Sequence, residues 1–213
     1  MENLVLVGAG GCMRELLWQI TEYNKKKQTW RIIGYIDQAE DLNLETIGHC
    51  PYLGDDDYLI SRKEEVNVAI CIADPQKRAH LVEMYSKNPK IKFPNIVLGD
   101  TCIAKDVNLG QGIIISRGCT VSTNVHIGDF TFLNMGSMIC HDGMIGSFTT
   151  FGPRATVAGN VKIGDGCYIG ISSTVIQGIE IGDGVTVGGG AMVVNDIPEK
   201  ITVVGVPAKP MKK

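Results

Sequence analysis

From Val97 to Val193 every sixth residue is large and apolar, running Val97, Ile103, Leu109, Ile115, Val121, Ile127, Leu133, Ile139 and onward without interruption for seventeen positions. Against a background of 44% hydrophobic residues, such a run has a chance probability on the order of 10^-6, so the period belongs to the fold and not to composition. A second column, four residues after the first, holds only small or β-branched side chains, from Thr101, Val107 and Ile113 to Ile197. The column one residue after the first is glycine at 110, 128, 146, 152, 164, 170, 182 and 188. The column after that is polar, with Lys105, Gln111, Arg117, His141 and Asp165, and is expected to face solvent or a neighbour. Short strands joined by turns every six residues bury two columns only by coiling, each coil stacking its aliphatics on the one below. An antiparallel sandwich would instead require period two and irregular turn spacing.

Residues 1–94 follow a different pattern. Asn3–Val7 reads as a strand ending in Gly8-Ala9-Gly10-Gly11, and Leu16, Leu17 and Ile20 give Met13–Tyr23 a helical spacing. Arg31–Ile36 and Val66–Ala73 read as further strands, and Pro75–Tyr85 as a helix with Asp74 as its cap and Pro75 at its first position. Alternating strands and helices imply a small parallel sheet with crossover helices. The expected architecture is therefore a Rossmann-like α/β domain over 1–94 followed by a parallel β-helix of hexapeptide repeats over 95–213, with a C-terminal tail.

The glycine loop after the first strand offers backbone N–H groups and a helix dipole, which suits a phosphate, or else it is a tight strand-to-helix turn. Met13 stands where a dinucleotide fingerprint needs its third glycine, which argues against NAD. Asp37 ends the second strand, where such sheets bind ligands, or it is a plain turn aspartate.

Charge excludes one class of partner. Twenty Lys and Arg against 23 Asp and Glu give a net charge of −3 with no basic stripe, so nucleic acid is not an expected partner. No window approaches the roughly 18 apolar residues of a membrane span, and the start lacks a basic leader, so no membrane insertion is expected and the chain is expected in the cytoplasm. The seven cysteines are scattered and never spaced as C-x-x-C, which reads as reduced thiols packed as small apolar groups.

Among four histidines, His141 lies in the outward column of the coil and is followed by Asp142. An exposed imidazole beside a carboxylate can serve as a general base near neutral pH. Periodicity alone also allows a plain surface histidine.

Four segments together resemble the bacterial hexapeptide-repeat sugar acetyltransferases of the sialic acid O-acetyltransferase and bacillosamine- and perosamine-type N-acetyltransferase family. They are Val7-Gly8-Ala9-Gly10-Gly11, Gly34-Tyr35-Ile36-Asp37, Leu133-Asn134 leading to His141-Asp142, and Gly205-Val206-Pro207-Ala208-Lys209. The resemblance implies a left-handed β-helix with three hexapeptides per coil, hence between five and six coils. It also implies a homotrimer with acetyl-CoA in the groove between subunits, and no metal.

By the same resemblance His141 matches the catalytic base, Asp142 the acid that orients it, and Asn134 an active-site asparagine. Gly159 follows His141 by 18 residues, one coil, and matches the position whose N–H stabilises the oxyanion while leaving room for the acetyl group. Gly170, Gly188 and Lys209 match the cofactor-binding side, together with Gly159. Gly8, Gly10, Asp37, Ala73, Asp74 and Thr150 match the nucleotide-sugar side.

Departures fall on that substrate side. Cys12-Met13-Arg14-Glu15 replaces the usual residues after the glycines, Cys140 precedes the base where an acid is common, Thr150 stands for a second histidine, and Gln38 replaces a second acid. The expected activity is acetyl transfer from acetyl-CoA to an amino group of a nucleotide-activated sugar. The alternatives are O-acetylation of sialic acid or another surface-polysaccharide sugar, and a non-catalytic ligand-binding or scaffold trimer. A zinc-dependent carbonic anhydrase would need three converging histidines, and only His126 and His141 lie in the coil.

Overall fold

The computed structural model describes residues 1–38 and 46–211. Two compact units emerge, Met1–Ala73 with Lys77–Pro94, and Asp74–Gln76 with Asn95–Lys213.

The first unit is built on β1 (Glu2–Val7), β2 (Trp30–Ile36), β3 (Thr46–Ile47), β4 (Cys50–Gly54), β5 (Val66–Ile70) and β6 (Ile91–Lys92), with helices α1 (Gly11–Lys26), α2 (Asp57–Ile60) and α3 (Pro75–Tyr85). The strand order is β3-β4-β2-β1-β5-β6, parallel throughout except for the β3/β4 pair. The small parallel sheet expected from the alternating pattern is present. β1 lies at its centre, and Leu4, Val5, Leu6 and Val7 are all buried, as a parallel strand covered on both faces requires.

Sequence reasoning had no signal for β3, β4, α2 or β6, which are two to five residues long and lack a readable period. It also carried the third expected strand too far. β5 ends at Ile70 because the carbonyls of Ile72 and Ala73 accept hydrogen bonds from the buried Arg78 guanidinium, at 2.6 and 3.2 Å from Nη1. That turn feeds α3, whose first residue is Pro75 as the sequence suggests.

The second unit is a left-handed parallel β-helix. Two-residue rungs pair with the rung 18 residues later, so Ile114 lies against Phe132, Phe132 against Thr150 and Thr150 against Tyr168. Three flat faces result. The first starts at Ile96–Val97, the second at Cys102–Ile103 and the third at Asn108–Leu109. The third face has five rungs and then only the isolated bridge Ile181–Ile197, in keeping with between five and six coils.

Both apolar columns point inward and form one continuous core from Ile113 to Val203. The lowest coil differs, since Val97, Ile103, Val107 and Leu109 are only partly buried. No earlier coil of the stack pairs with them. At the other end, the segment expected as a tail is a hairpin. Thr202–Val204 pairs antiparallel with Lys209–Pro210, Ala208 N–H donates to the Met192 carbonyl at 2.7 Å, and Ala208 packs on the core.

A third column, not anticipated, shapes the corners. Except at Asp106 and Asp196, the residue three after each inward aliphatic adopts the left-handed conformation, including Asn124 (φ 55), Asp142 (φ 59) and Asn160 (φ 56). Asn and Asp tolerate that conformation better than other non-glycine residues, which is why they recur there. Phe130 and Phe148 also occupy it, and their rings stack at 5.3 Å.

Candidate active site

The edge between the second and third faces carries His141. The corner Cys140-His141-Asp142 follows the rung Met138–Ile139, and the left-handed turn at Asp142 brings its carboxylate back toward the preceding ring. Asp142 Oδ2 lies 2.8 Å from His141 Nδ1. Asp142 Oδ1 accepts a hydrogen bond from Asn124 Nδ2 at 2.6 Å. These two bonds, that from Asn124 first and that from His141 second, hold the Asp142 carboxyl below the usual carboxylate range. An ionised carboxylate only accepts, so Nδ1 carries a proton, and in the neutral ring Nε2 then holds the lone pair, directed away from the acid.

Gly159 sits one coil along on the same edge, where Asn160 N–H donates to the His141 carbonyl at 2.9 Å. The imidazole lies directly against it. A Cβ at Gly159 would fall 2.4 Å from Cε1, 2.5 Å from Nε2 and 2.9 Å from Nδ1 of His141. Gly159 is buried, and its N–H makes no hydrogen bond among the described residues. The equivalent corner N–H groups of Gln111, Ser147 and Met135 are taken up by the side chains of Asp129, Asp165 and Asn134, whereas those of Thr123, Ile171 and Gln177 make no hydrogen bond among the described residues but belong to exposed residues. A buried backbone donor without a partner is uncommon and stands ready for an acceptor from outside the chain.

The remaining expected residues are not all brought to this edge. Asn134, Gly170 and Gly188 lie on the edge between the first and second faces, a different corner of the triangle. Asn134 spends its side-chain oxygen on the Met135 N–H at 2.7 Å, and no hydrogen bond joins it to His141. Gly170 has a reason internal to the coil, since a Cβ there would fall 2.6 Å from the Val187 carbonyl oxygen. At Gly188 the obstruction is Val204 Cγ1 at 2.7 Å. Lys209 is exposed on the terminal hairpin. Thr150, expected beside the sugar, is only 1% exposed, whereas the His141 side chain is 48% exposed.

In the first unit, Gly8, Asp37 and Ala73 follow the carboxyl ends of β1, β2 and β5, where the strand order reverses direction. Crevices at such points bind ligands in open α/β sheets. Gly8 takes φ +107, and a Cβ there would meet Ile72 Cδ1 at 2.8 Å. Asp37 Oδ2 accepts from the Ala9 N–H at 2.6 Å, so the carboxylate braces the glycine loop. Gly10 is the N-cap of α1 in extended conformation with no side-chain cap, and the first turn carries no acidic residue. Met13, at the third fingerprint position, is fully buried in the core. Asp74 is exposed just before α3. Gln38 donates to the carboxylate of Asp56, which is 7% exposed and also accepts from the Tyr85 hydroxyl. Burial, then Asp56, pushes that hydroxyl's pKa up.

Sequence reasoning missed Asn124 and Asp56. The 18-residue step that sets Gly159 over His141 also sets Asn124 beneath Asp142, so that signal was available. Asp56 lies in a segment with no readable period.

The His141 side chain is half-exposed on its edge. A groove of about 730 Å³ occurs on the third face, lined by Met144, Lys162, Asp165, Glu180 and Asp183, and does not include His141. Among the described residues, no three His, Cys, Asp or Glu side chains converge as a metal-binding group, and no helix is long and apolar enough to cross a membrane.

Residues 3–85 match the family described as PglD N-terminal domain, and residues 160–195 match the bacterial transferase hexapeptide family of six repeats. The chain is thus similar to the PglD N-terminal domain in its first unit and to bacterial hexapeptide transferases in its second. Solved structures agree over the whole length. The acetyltransferase domain of PglB from Neisseria gonorrhoeae FA1090, in complex with acetyl coenzyme A, is 25% identical with a TM-score of 0.86, covering 99% of each chain. PerB from Caulobacter crescentus, in complex with CoA and GDP-perosamine, is 25% identical with a TM-score of 0.86, covering 100% of this chain and 98% of that one. WeeI from Acinetobacter baumannii AYE is 28% identical with a TM-score of 0.85, covering 99% of this chain and 100% of that one. No curated protein matches the chain. The resemblance read from the four sequence segments is thereby borne out.

Proposed function

We propose that the protein transfers acetyl from acetyl-CoA to the amino group of a nucleotide-activated sugar, with His141 as general base. The observation that carries this reading is the juxtaposition of the His141–Asp142 pair with the buried, unpartnered N–H of Gly159. Two solved relatives support the substrates, one holding acetyl coenzyme A and the other CoA with GDP-perosamine.

The chemistry follows from the geometry. Nε2 of His141 accepts the proton of the amine as its nitrogen attacks the thioester carbonyl. The carbonyl oxygen becomes an oxyanion and accepts from Gly159 N–H, a preorganised donor worth roughly 3 kcal/mol in comparable sites. Asp142 stabilises the imidazolium that forms, as in other carboxylate–histidine pairs. Collapse of the tetrahedral intermediate breaks the C–S bond, and the imidazolium returns its proton to the departing CoA thiolate.

The active assembly is a homotrimer in this reading. His141 and Gly159 occupy one edge of the triangle, while Asn134, Gly170 and Gly188 occupy another, so a second copy is needed to bring the two sets together. Exposed apolar side chains on and beside these edges, Met138, Ile171 and Ile176, fit burial against that copy. The glycine loop of the first unit, with Asp37, Ala73 and Asp74, holds the nucleotide, its phosphates at the uncapped start of α1.

The test is acetyl-CoA-dependent thiol release across UDP- and GDP-linked amino sugars and sialic acid, with mass analysis of the product. Acetylation of an amino-sugar nucleotide is expected. Product formed only from sialic acid would move the assignment to O-acetylation, and no product from any acceptor would favour a scaffold.

A further inference from the structure

We infer that Asn124 is a positioning residue, which fixes the Asp142 carboxylate so that His141 is held in the tautomer with Nε2 unprotonated. This rests on the proposed role of His141 as base and adds the residue that orients its partner. Asp142 is exposed, with 41% of its side chain accessible, and a lone contact to an exposed imidazole would leave it free to turn. Asn124 removes that freedom, since its Nδ2 holds Oδ1 at 2.6 Å and leaves Oδ2 aimed at Nδ1.

Asn124 is itself held. Its backbone N–H donates to Asp106 Oδ2 at 3.1 Å, and the neighbouring Thr123 hydroxyl donates to the same oxygen at 2.5 Å. The left-handed conformation at Asn124 (φ 55) suits asparagine. Asp106, Asn124 and Asp142 thus form a chain of contacts up one edge, each 18 residues from the next. The chain ends at the imidazole. One coil further on, the Asn160 side chain makes no hydrogen bond among the described residues, so nothing continues the ladder past His141.

The experiment compares the native chain with Asn124→Gly, which keeps the left-handed corner and deletes the amide, and with Asn124→Asp, which keeps the shape and replaces the donor by an acceptor. Imidazole 15N shifts of His141, assigned by the signal lost in His141→Ala, report the tautomer without any substrate present. The native protein should show one neutral tautomer, protonated at Nδ1. Both variants should show a mixture, with kcat reduced about 10-fold and KM for acetyl-CoA within about 2-fold, as expected for partial loss of a general base. A single native-like tautomer in Asn124→Gly overturns the inference, whatever its kcat. A mixed tautomer with undiminished turnover leaves the positioning intact and overturns His141 as base.

Discussion

Replacing Gly159 by alanine separates the site from the fold. The added Cβ would lie 2.4 Å from His141 Cε1, against an ordinary contact of 3.4 Å or more, so the ring must retreat by about 1 Å. The ring can do so, because it ends a flexible and half-exposed side chain, but the move breaks the 2.8 Å contact with Asp142 and takes Nε2 off the reacting proton. Misplacement on this scale costs about 100-fold in rate in well-organised sites. Stability should barely change. Loss of an exposed hydrogen bond costs about 0.5–1.5 kcal/mol, and the alanine restricts the unfolded chain by about 0.4–1 kcal/mol in the opposite direction. Acetyl-CoA-dependent thiol release and thermal unfolding, measured on the same preparation, give both numbers. We expect kcat/KM down about 100-fold with Tm within about 4 °C of native. A variant with native kcat/KM would refute the packing of ring on glycine as a determinant of activity.

Gly170→Ala should do the reverse in thermal unfolding, because its Cβ would meet the Val187 carbonyl oxygen at 2.6 Å and the Gly189 nitrogen at 2.7 Å, backbone atoms that cannot step aside. A cost near the upper end of about 1–3 kcal/mol, or roughly 6–12 °C in Tm, is expected, and an unchanged Tm would contradict the close stacking of coils. Thiol labelling at pH 8, mapped by mass spectrometry, should find the exposed Cys102 first and leave the buried Cys50, Cys71, Cys119 and Cys167 until unfolding. Burial also pushes the Cys119 and Cys167 thiols up to about 11, from 9.0. Because the folded pKa is the higher one, their share of stability should be intact below pH 9 and should fall between pH 9 and about 11, which denaturant unfolding across that range would check.

The solenoid was legible because its period is absolute. Each inward position recurs every six residues, so burial of Leu133, Ile139 and Ile145 follows from one register. The corner column carried the same period but mixed glycine with Asn, Asp, Ser, Arg and Phe, residues that share a backbone conformation and no side-chain property. That is why Asn124 escaped notice although Gly159 did not. In the first unit, the long elements showed their periods, while β3, β4 and α2 are too short to show one. Asp37 illustrates a different limit, because its position at a strand end was readable but its bond to the Ala9 N–H was not. Asn134, Gly170 and Gly188 came from resemblance, and the coil's triangular section puts them on another edge, which spacing modulo six does not reveal and spacing modulo 18 does.

The most direct measurement is the rate of acetyl-CoA-dependent thiol release for native protein and His141→Ala, with the amino-sugar nucleotide that the native enzyme accepts best. A general base contributes about 10²–10⁴-fold, so the variant should fall by at least about 100-fold while still binding acetyl-CoA. Turnover at the native rate in a folded His141→Ala protein would contradict the account.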